Sequence, residues 1–273
     1  DDEFAYHTDM AVGTDNTPNT MEEAMTSPEA LKWRKASEEE YDSLVQNKTW
    51  TLTPLPEGRR AIGSRWVFAR KYNKDGEVDR HKARLVAQGY SQTKGIDFKE
   101  TFTPTVRMTT VEALLQCSVN CEWRLHQMDV KAAYLNADID CEIYMQQPDG
   151  FQVQGQELYC RLNKSIYGLK QSGRLWNNVL SDFLVKEERS KVDSCLYIMN
   201  AHQYYVRIIV FVDDIIIACS DDDVRRQVKE KLSERFSMTD MGELNWFIGL
   251  EIERGPTEIH IRQRAYIENM LRK

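Results

Sequence analysis

The sequence predicts an α+β protein, and three observations carry that prediction. Apolar, β-branched runs read as strands. Amphipathic stretches read as helices, and no regular β–α–β repeat joins the two kinds of segment. A hydrophobic content of 41% with 10% aromatics, over 273 residues, supplies enough apolar surface for a real core.

Taken in order, residues 1–20 are polar and acidic without periodicity and read as a flexible linker. Residues 20–47 read as helical. Thr26-Ser27-Pro28-Glu29 marks a helix start, and Leu31, Trp33, Ala36, Tyr41 and Leu44 then form an apolar stripe. Residues 64–72 and 77–88 read as two strands joined by the turn Asn73-Lys74-Asp75-Gly76. Residues 111–121 read as a helix and 124–130 as a strand. Residues 175–186 and 224–236 read as amphipathic helices. Residues 247–253 and 258–262 are expected to form a closing hairpin around Gly255-Pro256.

The net charge of −7 is unevenly spread. Residues 1–45 hold twelve acidic and three basic residues, whereas residues 58–107 hold twelve basic and five acidic. A basic stretch of that size suits phosphate contact, although a solvated surface explains it equally well. The six cysteines form no CxxC pair. Cys117 and Cys121 stand four apart on an apolar helical stretch, where core packing accounts for them better than zinc. No disulfide framework is indicated, so a reducing compartment is expected. There is no signal-like segment at the start, and no apolar run approaches the ~18 residues of a spanning helix.

The sharpest chemical feature is Phe211-Val212-Asp213-Asp214-Ile215-Ile216-Ile217. Two adjacent carboxylates interrupt an apolar run, which reads as two strands with both aspartates at the tip of a tight hairpin. Burying an ionised carboxylate costs several kcal/mol unless it is paired or binds metal. A solvated turn is the plain alternative, since Asp is common in turns. Asp129, at the end of the 124–130 strand, adds a third carboxylate; taken alone it reads equally as a helix cap. Together the three match what two Mg²⁺ ions need for phosphoryl transfer, as in a palm-type polymerase site. Lys82 and Arg84 lie two apart on a strand and so share a face, where they could grip a triphosphate; exposed cations at such spacing also serve solubility. In the loop at residues 166–173, Gly168 and Gly173 flank Lys170, Gln171 and Ser172 just before a helix. That arrangement permits close backbone approach to a ligand or serves as a helix cap.

On these residues the chain resembles the reverse transcriptase domain of copia-type (pseudovirus) LTR retrotransposon Pol polyproteins. The matching segments run in family order. They begin with Asn47-Lys48-Thr49-Trp50, Ser64-Arg65-Trp66-Val67-Phe68 and Lys82-Ala83-Arg84-Leu85-Val86-Ala87-Gln88-Gly89-Tyr90. Next come Gly95-Ile96-Asp97-Phe98 and Thr101-Phe102-Thr103-Pro104. The first catalytic motif is Gln127-Met128-Asp129-Val130-Lys131-Ala132-Ala133-Tyr134-Leu135. Ile143-Tyr144-Met145-Gln146-Gln147-Pro148, residues 165–173, and Asp213-Asp214 follow. Met238-Thr239-Asp240-Met241-Gly242-Glu243-Leu244 and Phe247-Ile248-Gly249-Leu250-Glu251-Ile252 close the set. The resemblance covers about residues 22–271.

The resemblance implies a right-hand polymerase of fingers and palm with the thumb largely missing. Fingers are expected at about 40–123 and 140–185, palm at about 124–139 and 186–255, and the start of the thumb connection at 256–273. It implies RNA-directed DNA polymerase activity, with Asp129, Asp213, Asp214 and the Val130 carbonyl holding two Mg²⁺ ions, Mn²⁺ being a substitute. It implies that Lys82 and Arg84 contact the dNTP triphosphate and that Tyr134 is the steric gate against a 2′-hydroxyl. Lys170, Gln171 and Ser172 would lie near the nascent base pair, and Phe247, Ile248, Gly249 and Leu250 would support the primer end. Implied partners are an RNA template, a DNA primer–template and the RNase H and integrase segments of a full polyprotein, with no membrane. The expected location is cytoplasmic, in a virus-like particle, or nuclear, and not secreted. Phe211 stands where the family usually has Tyr, a loss of one hydroxyl. Because the chain stops at Lys273, the alternative expectation is a silent remnant that only binds nucleic acid or serves assembly.

Overall fold

In the computed structural model, residues 17–72, 77–184, 188–201 and 204–272 are described. In chain order the elements are α1 (Met21–Thr26), α2 (Ala30–Gln46), β1 (Trp50–Thr53), β2 (Ala61–Ile62), β3 (Ser64–Tyr72), β4 (Val78–Ala87), α3 (Met108–Asn120), β5 (Arg124–Val130), β6 (Tyr144–Met145) and β7 (Tyr159–Leu162). They continue with α4 (Ser172–Leu184), β8 (Glu188–Arg189), β9 (Leu196–Ala201), β10 (Tyr204–Phe211), β11 (Asp214–Cys219), α5 (Asp222–Arg235), β12 (Met238–Glu243), β13 (Trp246–Phe247), β14 (Leu250–Arg254), β15 (Ile259–Arg262) and α6 (Arg264–Arg272). The class is α+β, as expected. The chain divides into two compact units: residues up to Phe102 with Tyr134–Trp176, and Thr103–Ala133 with the residues from Asn177 onward. Among the described residues no helix is long and apolar enough to cross a membrane.

The first unit holds a four-stranded sheet, ordered β1-β7-β6-β2, and the separate antiparallel hairpin β3–β4. Alternation along the hairpin turns Trp66, Phe68, Ala83 and Leu85 inward. Helix α2 covers that face. The buried Trp33 meets Phe68 edge-on at 5.3 Å between ring centroids. The helical stretch read over 20–47 is two helices rather than one. Ser27 is extended (ψ 160°) because the ring of Pro28 excludes helical backbone at the residue before it. The hydroxyl of Thr20 accepts the N–H of Glu23 and caps α1. The turn expected at 73–76 and the linker residues 1–16 lie outside the described residues.

The second unit is built on the antiparallel sheet β12-β5-β11-β10-β9-β8. Its central strand β11 is buried on both faces, which is why it reads as a continuous apolar run rather than an alternating one. On one face, Leu125, Ile209, Ile216 and Ala218 pack with Val111, Leu114 and Leu115 of α3 and with Phe247, Leu250 and Ile252. Asp221 caps α5 by accepting the N–H groups of Asp223 and Val224, each at 2.9 Å. The closing hairpin β14–β15 forms as expected, but 247–253 is not one strand. Ile248 (φ 48°) and Gly249 (φ 77°) make a two-residue turn that separates β13 from β14, with Phe247 opposite Leu250. Positive φ at both turn residues is the type I′ pattern that suits a twisted hairpin.

Candidate active site

Asp129 and Asp214 face each other where β11 meets β5, and Asp213 stands in the turn just before β11. The register places Asp214 opposite Asp129, Ile215 opposite Met128 and Ile216 opposite Gln127. Residues directly opposite in an antiparallel pair share a face, so Asp129 and Asp214 are neighbours on one side of the sheet. Gln127, two residues before Asp129 and on the same face, donates from Nε2 to Oδ1 of Asp214 at 2.8 Å. Phe211 pairs with Asp214 across β10–β11. The hairpin loop is therefore Val212-Asp213, not Asp213-Asp214 as the sequence suggested, and Asp214 is the first residue of β11. The same residue then faces Asp129 on β5, a pairing that a local reading of the run cannot see.

Val212 has φ 54° whereas Asp213 is not in the positive region, the type II′ pattern. A β-branched residue in left-handed backbone is strained. The carbonyl of Asp213 accepts the N–H of Val130 at 2.9 Å, tying the loop to β5. All three aspartates are half-buried. Behind them Phe211 meets Phe247 edge-on at 6.1 Å, so the hairpin of β10–β11 rests on the hairpin of β13–β14. Phe247 and Leu250 are thus core residues, and only the Ile248-Gly249 turn lies at their hairpin's tip.

The donor set is oxygen only, which suits a hard cation that keeps water and substrate phosphate in its shell. Among the described residues no group of three or more His, Cys, Asp or Glu side chains stands close enough together to hold a metal ion by itself. Two facing carboxylates with a third in the adjoining turn fit an ion that takes few protein ligands.

The remaining candidates lie in the first unit. Lys82 and Arg84 alternate with the buried Ala83 and Leu85 on β4, so the two cations share the other face. Two outward N–H groups of β4 have partners outside the hairpin. Glu40 of α2 accepts from Leu85 at 3.2 Å, and the Tyr167 carbonyl accepts from Ala87 at 2.8 Å. Burial pushes the Glu40 carboxyl up, against the pull of the Leu85 N–H and the charges of Arg84 and Lys82. The Arg84 guanidinium lies 4.0 Å from the centroid of the Tyr167 ring, and Tyr134 meets the same ring at 4.6 Å and 67°.

The loop residues are placed differently from one another. Gln171 is fully buried, accepting from Gln92 at 3.0 Å and donating to the Asp97 carbonyl at 2.7 Å. The Ser172 hydroxyl is buried and donates to the Ile166 carbonyl. In this arrangement both hold the loop together, whereas Lys170 is half-buried, its ammonium 5.8 Å from the Phe98 ring. Sequence reasoning did not single out Gln92, and it quoted Gln127 and Tyr167 within motifs without giving either a role. The only signal available for Tyr167 was its place beside Gly168 in a loop already singled out.

The family described as reverse transcriptase (RNA-dependent DNA polymerase) matches residues 47–273. The chain belongs to this reverse transcriptase family. It is 37% identical over 270 residues to the retrovirus-related Pol polyprotein from transposon RE1 of Arabidopsis thaliana, covering 97% of this chain and 18% of that protein. It is likewise 37% identical over 270 residues to the Pol polyprotein from transposon TNT 1-94 of Nicotiana tabacum, covering 97% of this chain and 20% of that protein. A Gag-Pol polyprotein of transposon Ty1-ER2 from Saccharomyces cerevisiae is 30% identical over 221 residues, covering 76% of this chain and 12% of that protein. The chain thus spans about a fifth of the length of these two plant polyproteins, and the reverse transcriptase match takes in every candidate site residue named above.

Proposed function

We propose that this chain is the catalytic region of an RNA-directed DNA polymerase. It extends a primer 3′-hydroxyl with dNTPs on an RNA or DNA template, within a copia-type Pol polyprotein that also carries RNase H and integrase segments. The observation that carries this reading is the Asp129–Asp214 register pair with Asp213 in the adjoining tight turn. We take the second unit as palm and the first as fingers. On that division residues 103–123, whose helix α3 packs on the six-stranded sheet, and 177–185 go with the palm and residues 134–139 with the fingers, the reverse of the sequence expectation for each. Residues 256–273 are taken as the start of the thumb connection.

The 3′-hydroxyl attacks the α-phosphate and pyrophosphate leaves. Most of the acceleration comes from positioning and from fixed charge. Asp129, Asp213 and Asp214, with the Val130 carbonyl, would hold two Mg²⁺ ions, or Mn²⁺ in their place. Bound there, the metal supplies activation of the attacking hydroxyl and stabilisation of the leaving oxygen. Gln127 orients the Asp214 carboxylate through its hydrogen bond. Lys82, Arg84 and Lys170 offer cations to the triphosphate and the template backbone. Tyr134 excludes a 2′-hydroxyl, and the Ile248-Gly249 turn supports the primer end. Location in the cytoplasm within a virus-like particle, or in the nucleus, is part of the same proposal.

Primer extension on an RNA template with dNTPs and Mg²⁺ tests the reading. Asp213→Asn is expected to lower the rate by about a thousand-fold or more, the loss of several kcal/mol of transition-state stabilisation. The melting temperature should stay near that of the wild type. Full activity in Asp213→Asn overturns the assignment.

A further inference from the structure

Strand β5 carries His126 on the face turned away from Asp129. The Lys229 ammonium of α5 lies 2.8 Å from His126 Nδ1. It also lies 2.7 and 2.8 Å from the two carboxylate oxygens of Asp240 on β12. An ammonium has three N–H groups and accepts nothing, so all three are used and Nδ1 is the acceptor. The imidazole is therefore neutral, with its proton on Nε2. The Lys229 side chain is only 12% exposed, and Asp240 balances its charge. Asp240 also accepts the Gly242 N–H at 2.9 Å, across the bulge that β12 makes against β5. One ammonium thus ties a helix and an edge strand of the sheet to the strand that bears Asp129.

The other charged and titratable groups facing the ring have partners of their own. From α5, Arg225 stands one turn before Lys229, its guanidinium 2.6 Å from Asp222. From β12, Glu243 lies opposite His126 and pairs with Arg124 at 3.0 Å. From β11, the apolar Ile217 lies opposite His126, and the Cys219 thiol, two residues on, donates to the Asp221 carbonyl. Burial, then the charges of Lys229 and Arg225, hold the imidazole below its ordinary 6.5, against the pull of Asp240 and Glu243. A proton on Nδ1 would set a second donor and a second positive charge against the ammonium. The two cannot keep this contact, and the link between α5 and β5 parts.

We propose that Lys229 and His126 form a proton-released latch between α5 and β5, closed while the imidazole is neutral and opened when it takes up a proton. The latch is independent of the polymerase reading, since none of its groups is a candidate for catalysis. Because the folded state lowers the imidazole, the contribution to stability is complete above pH 6.5 and is lost as pH falls through the lowered value.

The test follows the full chain by histidine NMR and by denaturant unfolding, from about pH 8 down to about pH 5. His126→Gln identifies the His126 signals by their loss, and its amide oxygen accepts from Lys229 at every pH. In the wild type the neutral ring is expected to carry its proton on Nε2 and to titrate below 6.5. Lys229→Met removes the cation and keeps much of the stem, so His126 should titrate at higher pH there than in the wild type. Over the same range the unfolding constant of the wild type should rise at least about threefold more than that of His126→Gln. A neutral ring protonated on Nδ1, titration at or above 6.5, or an unchanged titration in Lys229→Met overturns the inference. An equal pH dependence of unfolding in the wild type and His126→Gln overturns it as well. If Lys229→Met does not fold, the wild-type tautomer and the comparison with His126→Gln decide.

Discussion

The hairpins β10–β11 and β3–β4 each present charged groups for the proposed chemistry, but different forces hold them. β10–β11 lies inside a six-stranded sheet, and residues 215–219 of β11 are fully buried. Its aspartates sit at the end of a rigid apolar frame. β3–β4 is a sheet of two strands, which is marginal alone. It buries one face under α2 and leaves Lys82 and Arg84 on the other. Much of its fastening to α2 is polar: Glu29 reaches Arg70 at 2.6 Å and His81 at 3.2 Å, and Glu40 takes the Leu85 N–H. Groups that hold a metal within fractions of an ångström need the stiff support, whereas groups that grip a flexible triphosphate tolerate the softer one. The first hairpin should then respond to lost volume and the second to pH.

The largest effect on stability is expected from Ile216→Ala. Ile216 is fully buried among Leu125, Ile209 and Phe247, so truncation should cost about 2–5 kcal/mol and lower the denaturant midpoint accordingly. The half-buried Val67 on β3 should cost less than about 1.5 kcal/mol when cut to Ala. Equal losses at the two sites would break the comparison.

Next in size is the pH response of α2. Hydrogen bonds from Arg70, Lys32 and His81 lower the Glu29 carboxyl from 4.5 to about 2. Its contribution is therefore complete above about pH 4.5 and is lost as pH falls toward 2. Solvent screening discounts it to about 1–2 kcal/mol. Glu40 runs the other way, since burial raises its carboxyl and its contribution is lost as pH rises through that raised value. Glu29→Gln should cost about 1–2 kcal/mol at neutral pH and remove the acid-side slope between pH 4.5 and 2. Glu40→Gln should cost under about 1 kcal/mol, because an amide oxygen still accepts the Leu85 N–H. Chemical denaturation at several pH values reads both. A Glu40→Gln loss larger than that of Glu29→Gln would reverse the ranking.

The same contrast explains what could be read in advance. β3 and β5 appear at the expected boundaries because alternation and β-branching are local signals, and the acidic tip was conspicuous against its apolar flanks. Register was not legible. The loop is Val212-Asp213 because Phe211 pairs with Asp214, which in turn faces Asp129, 85 residues earlier in the chain. The break at Ile248-Gly249 was hidden because Ile is a strand former and only tertiary packing holds it at positive φ. The loop read by itself left ligand approach and a helix cap equally open, whereas the resemblance implies a place for Gln171 near the nascent base pair. Its burial depends on Gln92 and Asp97, some 75 residues away.

A small gain rather than a loss tests whether the stiff hairpin carries strain. Val212 occupies the first loop position of a type II′ turn, where glycine is preferred and a β-branched residue is costly. Val212→Gly removes a strain of about 1–3 kcal/mol and adds about 0.5–1 kcal/mol of unfolded-chain entropy. A net gain of about 1 kcal/mol is expected, seen as a higher denaturant midpoint with an unchanged slope. A loss of stability would mean that the Val212 side chain contributes packing greater than its strain. The turn would then be held from its tip, and no longer only by the strands behind it.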